Sequence, residues 1–304
     1  MRDVKKILCP VDLSDVSRHT IAHAALLARW YKARIAALHV CNPVTIPATD
    51  FARVGADVPG LTAEELKDAR EQVAACFSSI TDVDIDFFVQ TGQPAKQILA
   101  AATSLSADMI VIGTHGAGGF EHLLLGSVAE KVLRRSPCPV LTVPPQSRTT
   151  STLPFKRILC PIDFSDSSLA ALEFAFSLAQ EGDADLTMLH VFEWPEGLLM
   201  TGPIVSPEYR QSLESDASTR LENLVPAAVR DYCRPSIRFR DGKAHREILG
   251  VATHERCDLI IMGVHGRNVL DLMLFGSTTN QVIRHATCPV LTLKASTVDH
   301  GVNT

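Results

Sequence analysis

The sequence lacks several features that would assign it directly to a functional class. No uncharged apolar run approaches the roughly 20 residues that a membrane-spanning helix needs, so no membrane partner is expected. Basic residues are not in excess, because 29 lysines and arginines stand against 34 acidic residues and give a net charge of −5. This balance gives no attraction to nucleic acid, so a phosphate-bearing ligand would have to be held locally. Since the first residues run into a strand-like segment without a leader pattern, we expect a cytoplasmic protein.

The eight cysteines include no C-x-x-C pair, which disfavours a cysteine-ligated metal site or a dithiol redox site. A disulfide framework is not expected in a reducing compartment. Four cysteines occupy equivalent places in an internal repeat and are predicted to be small core residues: Cys9, Cys138, Cys160 and Cys288. The other four keep a thiol redox sensor open as one function class: Cys41, Cys76, Cys233 and Cys257.

What the sequence does contain is that internal repeat. Residues 5–13 match residues 156–164, and the strand-like segment 34–40, which ends in Leu-His-Val, recurs as 185–191. A Cys-Pro-Val-Leu segment closes both copies. The repeat predicts a module over residues 1–144, a linker over 145–154, a second module over 155–295 and a tail over 296–304.

Short apolar segments alternate with helix-like segments in each copy, which is typical of an α/β fold with a parallel sheet, helices on both faces and right-handed crossovers. If the two strands with ligand-like ends are neighbours, each five-stranded sheet takes the order 3-2-1-4-5. The last strand-like segments, 139–143 and 289–293, are apolar edges that invite pairing. We therefore predict an intramolecular pseudo-dimer, and a homodimer of two chains stays open.

A glycine loop follows the fourth strand-like segment of each copy. The first is Gly113-Thr114-His115-Gly116, then nine residues, then Gly126-Ser127; the second is Gly263-Val264-His265-Gly266 with Gly276-Ser277. A strand, a glycine loop and a helix start are typical of anion sites, because the first helical turn has unpaired N–H groups and glycine permits close approach. The duplicated pattern therefore predicts two phosphate sites.

An aspartate ends the first strand-like segment of each copy, at Asp12 and Asp163. Ligands of such sheets bind beyond the carboxyl ends of the strands, where the strand order reverses. A carboxylate beside a phosphate loop favours a nucleotide over free phosphate. The alternative role for either aspartate is to cap the helix that follows, for which Ser14-Asp15 and Ser165-Asp166 are also candidates.

Together these motifs resemble the universal stress protein family over nearly the whole chain: the glycine loop, the Pro-Val-Asp or Pro-Ile-Asp strand end, Leu-His-Val and Cys-Pro-Val-Leu. The resemblance implies bound ATP, ADP or AMP, with or without Mg²⁺. It implies that the nucleotide contacts Pro10, Asp12, Val40, Gly113, His115, Gly116, Gly126, Ser127 and Val128 in the first module. The matching residues of the second are Pro161, Asp163, Val191, Gly263, His265, Gly266, Gly276, Ser277 and Thr278. Two residues depart from the family pattern. Ala117 stands where family members often have a basic residue, which Arg267 supplies in the second copy, and Thr278 replaces the usual valine.

Two main function classes follow. The first is a stress-response regulatory or adaptor protein in which nucleotide occupancy changes contacts with an unknown protein partner. The second is a slow ATP hydrolase or phosphotransferase, which is disfavoured because the loop lacks the lysine of a P-loop and no acidic pair stands near it for Mg²⁺. His115 and His265 are the only general-base candidates, and the favoured interpretation of both is a histidine that shapes the loop, so no catalytic residue is predicted.

A metal site is not predicted. His19 and His23 lie one helical turn apart and could hold a metal between them. The second copy does not repeat the pair, and the sequence shows no third ligand beside it.

Overall fold

The structure, a computed structural model, describes residues 4–41, 62–116, 125–145, 147, 155–194, 206–230, 233, 235–264 and 276–294. The chain divides into two compact units, residues 3–145 and residues 146–304 together with the first two residues. The predicted linker lies outside the described residues except for Pro145 and Ser147, and the predicted tail lies wholly outside them. No helix of the described ranges is long and apolar enough to cross a lipid bilayer.

The first unit is a parallel sheet in the order β3-β2-β1-β4-β5. Its strands are β1 (Lys6–Val11), β2 (Arg34–Cys41), β3 (Ile85–Thr91), β4 (Met109–Gly113) and β5 (Val140–Val143). Its described helices are α1 (Ser17–Tyr31), α2 (Ala63–Cys76), α3 (Pro94–Ser104) and α4 (Ser127–Arg135). Right-handed crossovers place α1 and α2 on one face and α3 and α4, which contact each other, on the other.

The second unit repeats this design as β8-β7-β6-β9-β10. Its strands are β6 (Arg157–Pro161), β7 (Asp185–Phe192), β8 (Ser236–Asp241), β9 (Leu259–Gly263) and β10 (Val290–Leu293). Its described helices are α5 (Asp166–Gly182), α6 (Pro207–Leu224), α7 (Ala227–Arg230), α8 (Ala244–His254) and α9 (Ser277–His285). The predicted fold class, strand order and two-module repeat are confirmed.

The cores form as the apolar patterns predict. The stripe on α1 is buried against the sheet: Ile21, Ala24, Ala25, Leu27 and Ala28. On α5, Leu172, Phe176 and Leu178 are buried, whereas Leu169 is half-buried. The central strands β1, β4, β6 and β9 are almost wholly buried, as strands covered on both faces must be.

An aspartate anchors the start of the central strand in each unit. Asp108 Oδ2 accepts the backbone N–H groups of Lys5 and Lys6 at 2.8 and 2.9 Å. Asp258 does the same with Lys156 at 2.8 Å and its neighbour Arg157 at 3.0 Å. Because the carboxylate satisfies donors at the strand entry, it ties the start of β4 or β9 to that of β1 or β6.

Some helix limits differ from the predictions. Ser14-Asp15 does not cap the first helix: α1 begins at Ser17 after Val16, because the Ser14 hydroxyl donates to Asp12 instead. The matching prediction for Ser165 is confirmed, since its hydroxyl accepts the Ser168 N–H.

The sequence predicts two long helices before the third strands, near 62–80 and near 207–231. The first ends at Cys76. The second is broken after Leu224, because Val225 precedes a proline and is extended, and the short α7 follows.

Candidate functional site at the strand switch

The site begins where the strand order reverses. β1 pairs with β2 on one side and with β4 on the other, so the carboxyl ends of β1 and β4 lie side by side. Asp12 follows β1, and the loop from Gly113 to Gly116 follows β4. The two motifs meet: a Cβ atom on Gly116 would lie 2.7 Å from Asp12 Oδ2. The structure thus brings together the carboxylate and the glycine loop of the first unit.

Asp12 is held in a defined orientation. Its Oδ1 accepts the Ser14 N–H at 3.1 Å, the Ser14 hydroxyl at 2.6 Å and the Ser17 hydroxyl at 2.7 Å. The proposed capping role is therefore partly present, because this oxygen organises the turn into α1. The other oxygen, Oδ2, faces Gly116.

Asp163 occupies the same place in the second unit. Its Oδ1 accepts the Ser165 N–H at 3.0 Å and the Ser165 hydroxyl at 2.6 Å. The residue after each aspartate is in the left-handed region, with φ of 63° at both Leu13 and Phe164. Bulky side chains rarely adopt this conformation, and strain of this kind concentrates at functional sites.

None of the motif glycines that the structure describes has a positive φ, and several stand where an added Cβ would meet a close neighbour. Gly126 and Gly276 have φ of −58° and −56°, which any residue adopts. A Cβ on Gly126 would lie 3.1 Å from the Thr114 carbonyl oxygen. A Cβ on Gly263 would lie 2.8 Å from the Ser167 backbone carbon. Space at Gly126 and Gly263 is thus limited by neighbouring backbone atoms.

The loop leads into a helix whose N-terminus has no side-chain cap in either unit. Gly126 is the N-cap of α4, and Ser127 and Val128 are its first residues. Gly276 takes this place before Ser277 and Thr278 of α9. The Gly126 N–H donates to the Thr114 carbonyl at 2.8 Å, and the Gly276 N–H donates to Val264 at 3.2 Å. First-turn N–H groups of such helices are suited to an anion.

The other predicted residues surround this edge. Pro10 and Val40 lie in neighbouring strands β1 and β2, and Pro161 and Val191 lie in β6 and β7. His115 follows the Gly113 turn, and its Nδ1 is 2.9 Å from the Thr114 hydroxyl. His265 and Gly266 lie outside the described residues.

Two histidines that the sequence argument did not single out brace the aspartate-bearing strands. His39 Nδ1 is 2.9 Å from the carbonyl oxygen of Val11, and His190 Nδ1 is 2.7 Å from that of Ile162. A carbonyl only accepts, so each Nδ1 carries the proton. These bonds fix the backbone immediately before Asp12 or Asp163, and the repeated Leu-His-Val segment was the available signal.

The thiols are not arranged as a redox centre. All eight cysteines are described, and none is disulfide-bonded. Burial raises the pKa of Cys9 to about 12 and raises that of Cys160 as well. Burial also raises the pKa of every cysteine kept open as a sensor: Cys41, Cys76, Cys233 and Cys257. Since the thiolate is the reactive form, these shifts oppose a thiol sensor.

Of the four predicted core cysteines, Cys9, Cys160 and Cys288 are buried and Cys138 is half-buried. His23 is buried on α1, with its Nδ1 2.7 Å from the His19 carbonyl oxygen. Within the described ranges, no group of three potential metal-ligating side chains comes together.

Comparison with known proteins identifies the family to which this geometry belongs. The model of the universal stress protein family matches residues 3–144 and again residues 154–294. The chain belongs to the universal stress protein family. It carries two tandem modules of that family, as the repeat predicts.

Relatives match this chain over both modules or over one of them. A universal stress protein from Mycolicibacterium smegmatis is 28% identical over 293 residues, which cover 95% of this chain and 96% of the relative. One from Methanocaldococcus jannaschii is 37% identical over 142 residues, or 46% of this chain and 81% of the relative. The crystal structure of a universal stress protein from Archaeoglobus fulgidus gives a TM-score of 0.63 at 21% identity, covering 97% of this chain and 100% of that one. This last similarity shows the fold alone.

Proposed function

We propose that this universal stress protein is an adenine-nucleotide-binding regulatory protein of the stress response, with a glycine-loop site in each module. The observation that carries the proposal is the contact between Asp12 and the loop, where Gly116 leaves room that any side chain would fill. A carboxylate and a phosphate-type loop meet at the switch point of the sheet, which is where doubly wound sheets bind nucleotides.

Different residues of the site would hold the phosphates, the sugar and the base of the nucleotide. Backbone N–H groups at the start of α4, with the Ser127 hydroxyl, would hold phosphate oxygens, because that helix end has no side-chain cap. Asp12, oriented by Ser14 and Ser17, would accept hydrogen bonds from sugar hydroxyls. Pro10 and Val40 lie on the adjacent strands toward the base. Ser277, Asp163, Pro161 and Val191 would act in the same way in the second module.

A binding role is favoured over turnover. The loop lacks a P-loop lysine, and His115 Nδ1 is already engaged with Thr114. We expect hydrolysis, if measured, to fall far below the roughly 1–100 per second of kinases. A phosphate-release assay distinguishes binding from turnover. Robust hydrolysis by the wild type that is lost in His115→Ala would show that the protein is an enzyme.

Mass spectrometry of the ligand released from purified, denatured protein tests the proposal and identifies the nucleotide. We expect ATP, ADP or AMP. A protein that releases no nucleotide and binds none when ATP, ADP or AMP is added would contradict the proposal. Addition of Mg²⁺ in the same titration shows whether the ion takes part.

The partners implied by this role stay predictions. Pairing of the last strands, 139–143 with 289–293, would make one chain a pseudo-dimer, and two chains could associate further. Sedimentation of the full chain with and without ATP measures the second point. A regulatory protein should also show nucleotide-dependent contact with another protein.

A further inference from the structure

A cavity lies at the amino ends of the strands in the second unit, the opposite ends from the glycine loop. Its volume is about 340 Å³, at the lower end of the roughly 300–1,000 Å³ that small-molecule sites occupy. The first residues of β6, β7 and β8 and the turn that follows α8 line it. Its charged and hydroxyl-bearing lining residues are Arg157, Asp185, Thr187, Ser236, Arg238 and Glu255.

The strand register places five of these side chains on one face of the sheet. Side chains alternate between the two faces along a strand, and register partners in neighbouring strands point to the same face. Arg157 pairs with Asp185, and Thr187, two residues further along β7, pairs with Ser236. Arg238 stands two residues beyond Ser236 in β8. The five side chains therefore gather at one end of the same face.

Helix α8 contacts β7 and β8 and supplies Glu255, its C-cap, to the cavity. The buried Thr187 hydroxyl donates to Glu255 Oε2 at 2.8 Å and lies 3.2 Å from the Ser236 hydroxyl. Arg238 Nε lies 3.4 Å from Glu255 Oε1. Both carboxylate oxygens of Glu255 thus have partners, and contacts within the protein fix this side of the cavity.

The other side of the cavity carries two opposite charges that do not pair with each other. Arg157 and Asp185 are register partners on adjacent strands, which lie about 4.8 Å apart. Arg157 Nε donates instead to the Arg256 carbonyl oxygen at 2.8 Å. Within the described ranges, neither the Asp185 carboxylate nor the terminal nitrogens of Arg157 have a hydrogen-bond or ion-pair partner. The cavity thus offers a ligand a guanidinium and a carboxylate side by side.

The first unit does not repeat this lining. Phe88 takes the register position of Arg238, and Leu105 is the C-cap of α3 as Glu255 is the C-cap of α8. Arg34 begins β2 at the place where β7 has its free carboxylate. The charged lining is therefore a property of the second unit and not of the shared fold.

We propose that this cavity binds a free α-amino acid, with the ligand carboxylate on Arg157 and the ligand ammonium group on Asp185. An α-amino acid carries both charges on one carbon atom, as the cavity carries its two charges on adjacent strands. The planar guanidinium donates two parallel hydrogen bonds to a carboxylate, and an aspartate accepts from an ammonium group. A ligand with a single charge would satisfy only one of the two groups.

Calorimetric titration of the full chain tests the proposal with three kinds of probe: the proteinogenic L-amino acids one at a time, acetate and ethylammonium. Acetate carries only the carboxylate, and ethylammonium carries only the cationic group. We expect at least one amino acid to bind once per chain. Acetate and ethylammonium should each bind at least about tenfold more weakly than that amino acid, because each loses one charge-assisted contact.

Asp185→Asn separates the two halves of the ligand. It should weaken binding of the amino acid by about tenfold or more and leave the weak binding of acetate unchanged, since acetate makes no contact with Asp185. Asp216→Asn is the matched control, because Asp216 is exposed on α6 and does not line the cavity. The control should keep the wild-type affinity for the amino acid.

A second variant closes the cavity with side chains that the fold already accepts. Arg238→Phe with Glu255→Leu introduces the residues that the first unit has at these places. It should abolish binding of the amino acid, and circular dichroism shows whether it is folded.

Three results would overturn the proposal. The first is a wild-type protein that binds no amino acid. The second is acetate or ethylammonium binding as tightly as the amino acid, which would show a site for one charge only. The third is an unchanged affinity for the amino acid in a folded Asp185→Asn variant or in the folded double variant. None of these results bears on the nucleotide sites, which lie at the other ends of the strands.

Discussion

Asp12 Oδ2 and Gly116 are close enough that a Cβ atom on the glycine would lie 2.7 Å from the carboxylate oxygen. The two residues come from the ends of neighbouring strands that are far apart in the sequence. Their proximity places a hydrogen-bond acceptor against a phosphate-type loop. The space that glycine leaves there is the property on which the proposed site depends.

Gly116→Ala should weaken ATP binding to the first module. The added Cβ would push the Asp12 carboxylate away from the loop, since 2.7 Å is shorter than any ordinary carbon–oxygen contact. Titration in the Gly276→Val background isolates the first site. Gly250→Ala is the matched control, because no atom outside the backbone of its own helix lies within 4 Å of its added Cβ and binding should not change. Equal affinity in both variants would remove Gly116 from the site.

Gly250→Ala should in addition stabilise the protein. Gly250 lies inside α8, where alanine is favoured by about 0.5–1 kcal/mol because glycine loses more backbone entropy on folding. Urea unfolding followed by circular dichroism measures the free energy of unfolding. A destabilised variant would show that the space beside Gly250 is not open.

His39→Ala should lower the affinity of the first site indirectly, because His39 acts on the backbone before Asp12 and not on the ligand. Its Nδ1–H holds the Val11 carbonyl, so its loss frees the backbone that aims Asp12. A lost hydrogen bond of about 0.5–1.5 kcal/mol corresponds to about 2- to 12-fold weaker binding. His39→Asn, whose side-chain amide can donate from a similar position, should restore part of the affinity. A folded His39→Ala variant with wild-type affinity would show that this brace is irrelevant to binding.

Acid should destabilise the protein partly through His23. Burial lowers the pKa of His23 below its ordinary value of 6.5. Between these two pKa values the unfolded chain binds a proton at His23 that the folded chain does not. The stability that neutral His23 contributes is therefore fully present above pH 6.5 and is lost as pH falls through the lowered pKa. Unfolding free energies at pH 7.5 and at pH of about 5 should differ less in His23→Gln than in the wild type. The exposed His254→Gln is the control and should keep the wild-type difference.

Topology made the main features of the site predictable. Alternating strands and helices imply the order 3-2-1-4-5, and that order alone places Asp12 beside the Gly113 loop. The repeat then predicts the same arrangement for Asp163 and Gly263. These predictions succeed because they depend on connectivity, which the apolar pattern sets.

Side-chain geometry could be predicted less well from the sequence. The left-handed Leu13 and Phe164 break the ordinary preference of bulky residues, so only tertiary packing can impose that conformation. Gly126 has an ordinary φ, and only the structure shows that the Thr114 carbonyl oxygen limits the space beside it. No local sequence pattern predicts contacts between elements, such as that of Arg220 with the Phe164 ring.

The central claim is that two glycine loops bind adenine nucleotide, and titration of the double variant Gly126→Val with Gly276→Val tests it most directly. A Cβ on Gly126 would already lie 3.1 Å from a backbone oxygen, and valine adds two further methyl groups there. Gly276 makes the equivalent backbone bond in the second unit. We predict that the double variant, shown to be folded by circular dichroism, gives no heat with ATP, ADP or AMP. A folded double variant that binds nucleotide with wild-type affinity and stoichiometry would contradict the account.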